Sequence, residues 1–211
     1  MSEELKANLA RKMIDAKIRN QCVILRRYTR NGSIDTEKEI LAMQNLRGKL
    51  LFCKSVEEIM GYEGAAARIY FSTLGKLIDS EFTFSGRNKR PPLDPFNSMI
   101  SLGYSIILNE IYGKLEGKGL NPYFGILHKD REKHPTLASD MMEEWRAVLL
   151  DKEGFKKYIG KLENKFHADQ KYLSYIDYRV SFRRALDLQV NQLTKAIEEN
   201  DDSLYMPVVI R

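Results

Sequence analysis

The sequence predicts an all-α protein, a compact multi-helix domain, and three observations carry that reading. Apolar residues recur at steps of three and four along most of the chain, the spacing of one helix face. No run alternates apolar and polar residues for long enough to suggest a sheet. The breaks between periodic stretches are made of Gly, Pro and capping residues, the punctuation of helix ends. A chain of 211 residues can bury one good core, so residues 1–211 read as a single helical domain with an extended apolar tail over 201–211. With 43% apolar and 30% charged residues the composition is that of a folded chain and excludes disorder.

The first helix is expected from Ser2 to Tyr28, with Leu5, Leu9, Met13, Ala16, Val23 and Ile24 near one face, and a stop at Thr29-Arg30-Asn31-Gly32. A second covers Thr36 to Cys53. The third opens at Ser55 with Glu58 three residues on, capping-box spacing, and continues to Ile78. A basic, proline-rich loop spans Thr83 to Pro95. A very apolar helix then runs from Pro95 to Lys114, broken by Gly113, Gly117 and Gly119. Asn121-Pro122 predicts a short helix ending near His128, because proline suits the first helical position. A charged loop leads through Pro135 into a helix from Thr136 to Leu150. Gly154 and Gly160 flank a short amphipathic piece, and a long last helix is expected from Asp169 to Asn200.

A net charge of +5 favours a polyanionic partner only mildly. Cys22 and Cys53 stand apart with no CxxC pair, which argues against a zinc site or disulfide framework and suits a reducing cytoplasm. The start Met1-Ser2-Glu3-Glu4 lacks the basic and apolar regions of a signal peptide. No segment approaches the ~20 apolar residues of a membrane span. The expected location is cytoplasmic, with no membrane partner.

Three features do not fit a plain helical bundle. On the third helix the stripe Val56, Met60, Glu63, Ala67, Tyr70, Leu74, Leu77 contains a carboxylate. A buried carboxylate needs a cation or a proton, and an arginine at a helix edge would satisfy it equally well. On the Thr136 helix, Asp140 and Glu143 share a face, with Glu144 beside them. Acids near a helix N-terminus complement the macrodipole, which explains Asp140 better than Glu143 because the effect fades after the first turn. His128 closes the apolar run Tyr123-Phe124-Gly125-Ile126-Leu127 and reads either as a ligand or as a hydrogen-bonded core histidine. Together, two acids and one histidine would suit magnesium or manganese and suit zinc poorly.

Four blocks carry a resemblance. They are Gly61-Tyr62-Glu63-Gly64-Ala65-Ala66-Ala67; Arg87-Asn88-Lys89-Arg90-Pro91-Pro92-Leu93-Asp94-Pro95-Phe96-Asn97 with Met99 to Tyr104; Gly119-Leu120-Asn121-Pro122-Tyr123-Phe124-Gly125-Ile126-Leu127-His128; and Asp140-Met141-Met142-Glu143-Glu144-Trp145-Arg146. In this order and spacing they resemble the CRISPR-associated endonuclease family that integrates new spacers into the CRISPR array. The resemblance implies a metal-dependent DNA endonuclease and integrase that inserts short fragments at a repeat by transesterification. It implies Glu63, His128 and Glu143 as catalytic metal ligands for Mg2+ or Mn2+, with Asp140 as an auxiliary ligand or support. It also implies a chain without the family's N-terminal β-rich domain, and Ala147 stands where a proline commonly follows the arginine of the last block.

The expected partner is double-stranded DNA, both the spacer precursor and the repeat. Arg87, Lys89 and Arg90, in a loop stiffened by Pro91 and Pro92, are the first candidates for backbone contact. Arg19, Arg26 and Arg30 form a row on the first helix, and Arg146 lies one turn beyond Glu143. Solvated faces and a helix-surface ion pair remain the ordinary explanations for these. Integration on two strands implies a homo-oligomer, with the aromatic surface at Tyr172, Tyr175, Ile176 and Tyr178 or the tail Met206-Pro207-Val208-Val209-Ile210 as contacts, and admits a second small CRISPR adaptation protein. A transposon-encoded integrase of the same superfamily, or a non-catalytic DNA-binding helical adaptor, are the alternatives.

Overall fold

One helix is enclosed by three of the others. The computed structural model describes residues 1–30, 34–77, 84, 86–88, 91–147 and 178–209. Helix α1 (Glu3–Thr29) is capped by Ser2, whose Oγ accepts the Leu5 N–H at 3.2 Å. Leu5, Leu9, Met13 and Ile24 are buried as the periodicity predicts, but so are Ile14, Ile18 and Leu25 on its other sides. A helix apolar around most of its girth must be enclosed, and α1 packs against α2 (Glu37–Lys49), α3 (Val56–Leu77) and α5 (Thr136–Trp145). Helix α4 (Pro95–Gly117) covers α5, and α6 (Phe182–Glu198) covers α4. Among the described residues these six helices carry the fold with no strand. Their buried side chains form one continuous core that includes Trp145, Phe96 and Phe182. The Trp145 and Phe182 rings meet edge to face, 4.8 Å apart.

Most helix ends follow from local chemistry. Ser55 Oγ accepts the Glu58 N–H, and Glu58 reaches back to the Lys54 N–H at 2.8 Å, a capping box displaced by one residue. Asp94 caps α4 through the Asn97 N–H at 2.7 Å, with Pro95 in the first turn. Helix α4 runs straight through Gly113 and ends three residues beyond the expected Lys114. Its stop is Gly119, at φ +75, where the Leu120 N–H bonds the Leu115 carbonyl in a Schellman arrangement. The second helix stops at Lys49 and tightens into a 3-10 turn, Leu50–Phe52, rather than continuing to Cys53. Both cysteines are free and buried.

Two expectations are corrected. Residues 121–128 are a chain of turns, not a helix. The Asn121 side chain takes the Tyr123 N–H at 3.0 Å, and the amides of Ile126 and Leu127 bond the Asp140 carboxylate instead of helical carbonyls. The last helix does not start at Asp169 as one element through to Asn200. Residues 178–180 are not helical, and α6 begins at Phe182 with Ser181 as its cap. Tyr172, Tyr175, Ile176, His167 and the glycine-flanked piece at 154–160 lie outside the described residues, as does Ile210.

The tail is seated on its own chain. Tyr205 and Val208 are fully buried. The Val208 carbonyl accepts from Asn20 Nδ2 at 2.9 Å and its N–H donates to Glu144 at 2.7 Å. The Tyr205 hydroxyl binds the same carboxyl group, and Gln189 holds the Met206 carbonyl at 3.0 Å. Burial, against these hydrogen bonds, pushes the Glu144 pKa up to about 8 from an ordinary 4.5. Folding therefore takes up a proton at Glu144 between these values, and its contribution to stability is full at low pH and lost as pH rises through about 8. Urea unfolding at pH 5 and pH 9 tests this: Glu144→Gln should lose less stability over that interval than the native chain. Equal losses would mean that Glu144 is ionised throughout.

Candidate metal and phosphate-binding site

The site is built where α1, α3 and α5 cross. Glu63 lies on α3 among Gly61, Gly64, Ala65 and Ala66, small residues that let the neighbouring helices approach. Its carboxylate is 15% exposed and is met not by an arginine but by the Lys17 ammonium of α1. Lys17 Nζ also binds Glu143 Oε2 of α5 at 2.6 Å, so one buried cation joins two carboxylates from two helices. Burial opposes the Lys17 charge, but the attraction of Glu143 and Glu63 outweighs it and raises the pKa above the ordinary lysine value. Glu143 has a second cation, Arg146, whose Nη2 lies 2.9 Å from Oε1. Burial alone would raise the Glu143 pKa; Arg146 and Lys17 reverse this and hold the carboxyl well below its usual range.

Asp140, one turn before Glu143, is fully buried and does a different job. Its Oδ2 accepts the Ile126 and Leu127 N–H groups at 2.7 and 2.8 Å, and Oδ1 takes His128 Nδ1 at 2.6 Å. Gly125 makes this hairpin of turns possible: a Cβ there would stand 2.3 Å from the His128 carbonyl and 2.5 Å from Thr136 Cγ2. His128 is thus not a core residue. Its ring is 37% exposed, Nδ1 is fixed by the carboxylate, and Nε2 is the ring nitrogen on the other side. The hydrogen bond to Asp140 raises the His128 pKa, against partial burial. Glu144, adjacent to Glu143 in sequence, points away to the tail and takes no part.

Beside Lys17 and Glu63 opens a cavity of about 780 Å3, also lined by Gln21, Arg68, Lys76, Arg87, Tyr104 and Arg146. Two guanidinium groups lie over the Tyr104 ring, Arg146 at 5.0 Å and Arg87 at 5.6 Å. Arg87 does not extend outward from its loop. It bonds Asn97 Oδ1 at 2.8 Å and Ser101 Oγ at 3.2 Å, and burial lowers its pKa. Lys89 and Arg90 lie outside the described residues. Arg19 is exposed on α1 and Arg30 at its C-cap, and Arg26 is half-buried 3.8 Å from Glu37; none of the three lines the cavity. Lys17, Gln21 and Tyr104 are the residues that sequence reasoning missed. The signal was present: Met13, Lys17, Asn20 and Ile24 step by four, three and four, so a lysine stands between apolar positions of one helix face, as Glu63 does.

In kind, the donor set fits a hard divalent ion: two carboxylates already gathered around one cation, and an imidazole oriented by an outer carboxylate. Among the described residues no three His, Cys, Asp or Glu side chains stand at ligand spacing, and the two glutamates meet the Lys17 ammonium.

The profile of the family described as CRISPR associated protein Cas1 matches residues 1–195. The chain belongs to the Cas1 family. A relative from Mycobacterium tuberculosis named CRISPR-associated endonuclease Cas1 is 35% identical over 236 residues, covering 96% of this chain and 68% of the relative. Another of that name from Thermus thermophilus is 39% identical over 146 residues, covering 69% of this chain and 42% of the relative. The chain thus spans only part of the Cas1 proteins it matches. Two solved structures share its fold: a casposase bound to integration product, at TM-score 0.80 and 22% identity over 97% of this chain and 64% of that one, and a partial Cas6-RT-Cas1–Cas2 complex, at 0.82 and 24% over 98% and 69%. The all-helical Cas1 architecture expected from sequence is the one observed. Among the described residues no helix is long and apolar enough to cross a membrane.

Asp140→Asn keeps the shape but turns an acceptor-only group into one that must present NH2 to the two amides or to His128. It should cost about 1–3 kcal/mol in urea unfolding through unmatched buried groups, and the NMR titration of His128 should move to lower pH. An unmoved titration would show that Asp140 does not set the charge of this histidine.

Proposed function

We propose that this protein is a DNA-joining enzyme of CRISPR adaptation: the 3′-hydroxyl of a short DNA fragment attacks a phosphodiester at a repeat and the strand's own 3′-oxygen leaves, and the same site cuts DNA. The observation that carries this reading is the pair of carboxylates, Glu63 and Glu143, gathered around the buried Lys17 ammonium, with His128 oriented by Asp140 and interacting with Glu143; Glu63 and Lys17 also line the basic cavity. One P–O bond forms as another breaks, so the chemistry requires alignment and charge neutralisation rather than a covalent intermediate. Glu63, Glu143 and His128 Nε2 would hold Mg2+ or Mn2+, which supplies Lewis-acid stabilisation of the phosphate. Asp140 serves as support: its oxygens are taken by two amides and the His128 ring. Arg146 and Arg87, held against Tyr104, offer guanidinium groups to phosphate oxygens entering the cavity. Arg68 and Lys76 extend the same wall.

The test is strand transfer of a labelled fragment into a supercoiled plasmid carrying a repeat array, with manganese and with EDTA. Glu63→Ala, His128→Ala and Glu143→Ala should each reduce joining by about 10²-fold or more, the scale of losing a group that stabilises the transition state. A folded His128→Ala variant that joins at the native rate would refute the assigned site. The fold shared with a casposase favours one second reading, integration guided by transposon ends. A plasmid bearing terminal inverted repeats, tested beside the array, separates the two.

Joining at two nearby positions on opposite strands needs two sites in fixed relation. We therefore assign this chain to an assembly of two or more copies, with a second small adaptation protein as a further partner, as in the Cas1–Cas2 complexes of similar fold. Tyr205 and Val208 are occupied within their own chain, which favours a contact outside these two residues. Light scattering should give a mass above one chain with DNA bound; a monomer both free and on DNA would exclude self-assembly.

A further inference from the structure

We propose that Lys17 and the divalent ion are alternative occupants of one position between Glu63 and Glu143, and that the ion enters by displacing the ammonium to Gln21. This rests on the metal-site reading above and goes beyond it, because it gives the site two states.

The charge balance motivates the exchange. Glu63 and Glu143 carry two negative charges, and Lys17 and Arg146 already supply two positive ones within hydrogen-bond distance. A divalent ion added beside an unmoved ammonium would place like charges a few ångströms apart where Lys17 is 5% and Glu143 4% exposed, and repulsion in such a low-dielectric place is strong. One of the two cations must leave. Arg146 is pinned over Tyr104 and caps the end of α5. Lys17 has a flexible four-carbon stem and lines the open cavity.

A destination is built in. Gln21 lies one turn further along the same face of α1 and lines the same cavity. Its side chain is 3% exposed as a residue, and Oε1 is buried with no hydrogen-bond partner among the described residues. An orphaned acceptor of this kind is costly to keep, and residues four apart on a helix are within reach of each other. Swung by one turn, Lys17 Nζ donates to Gln21 Oε1, which would leave Glu63, Glu143 and the His128 imidazole to hold the ion. The lysine thus keeps the two carboxylates together before the ion arrives, and then carries its charge toward the phosphate-binding wall.

The full chain tests this by manganese titration calorimetry, with thermal unfolding in EDTA and in manganese as a second readout. Lys17→Met removes the competitor. Manganese should bind about tenfold tighter or more, since the competent state no longer has to be freed from the ammonium. Its melting temperature should fall in EDTA and rise further with manganese than that of the native chain. Gln21→Leu removes the destination, and should weaken manganese binding several-fold without lowering stability in EDTA. If Lys17→Met binds manganese no tighter than the native chain, the exchange is refuted. Should Lys17→Met fail to fold in EDTA, Gln21→Leu decides, and unchanged affinity there refutes it. A native chain that binds no manganese overturns the metal reading and the exchange together, whereas native binding with unchanged variants overturns the exchange alone.

Discussion

The ammonium of Lys17 is the constraint on which the site depends. It lies between carboxylates that reach it from α3 and α5, 46 and 126 residues away in sequence. None of these three charges is tenable in that place alone, since an unpaired buried ion loses its hydration without return. Taking away one partner of such a pair costs about 3–5 kcal/mol, mostly through the charge left behind. The triad therefore does more than neutralise itself. It fixes the axial register of three helices, and so the distance between two acids that no local sequence feature relates.

Helix α5 shows how surroundings assign roles to similar groups. Within five residues it carries three carboxyls, all essentially removed from water. Asp140 faces backbone amides and an imidazole and shapes the turn that presents His128. Glu143 faces two cations, which keep it ionised despite burial. Glu144 faces a tyrosine hydroxyl, an amide and a distant glutamine, with no cation, and so is pushed toward the neutral acid. A helical rotation of 100° per residue is enough to send neighbours into different chemistries. The result is a helix anchored on one side to the tail and on the other to the site.

The cavity places its positive groups under similar restraint. Arg87 and Arg146 lie over one buried tyrosine, and each has a side-chain oxygen to bond: Asn97 and Ser101 for the first, Glu143 for the second. Guanidinium groups positioned beforehand lose little freedom when a phosphate arrives. The same bonds tie the start of α4 and the end of α5 to the cavity wall.

Periodicity identified the all-α class, and local signals such as the Ser55–Glu58 capping box and Pro95 located helix starts, because these signals are local in the chain. It also exposed Glu63 as a charge on an apolar face, and marked Glu143 as too far into its helix for the macrodipole to explain. The sequence could not say what answered those charges. A stripe reports which side of a helix is covered, not which helix covers it, so the lysine partner, the inward turn of Arg87 and the departure of Glu144 toward the tail were decided only when distant segments packed. The turns at 121–128 are the sharpest case: Pro122 is a sound local helix signal, and it lost because the Asp140 carboxylate, brought from another element, took the amides that a helix would have needed.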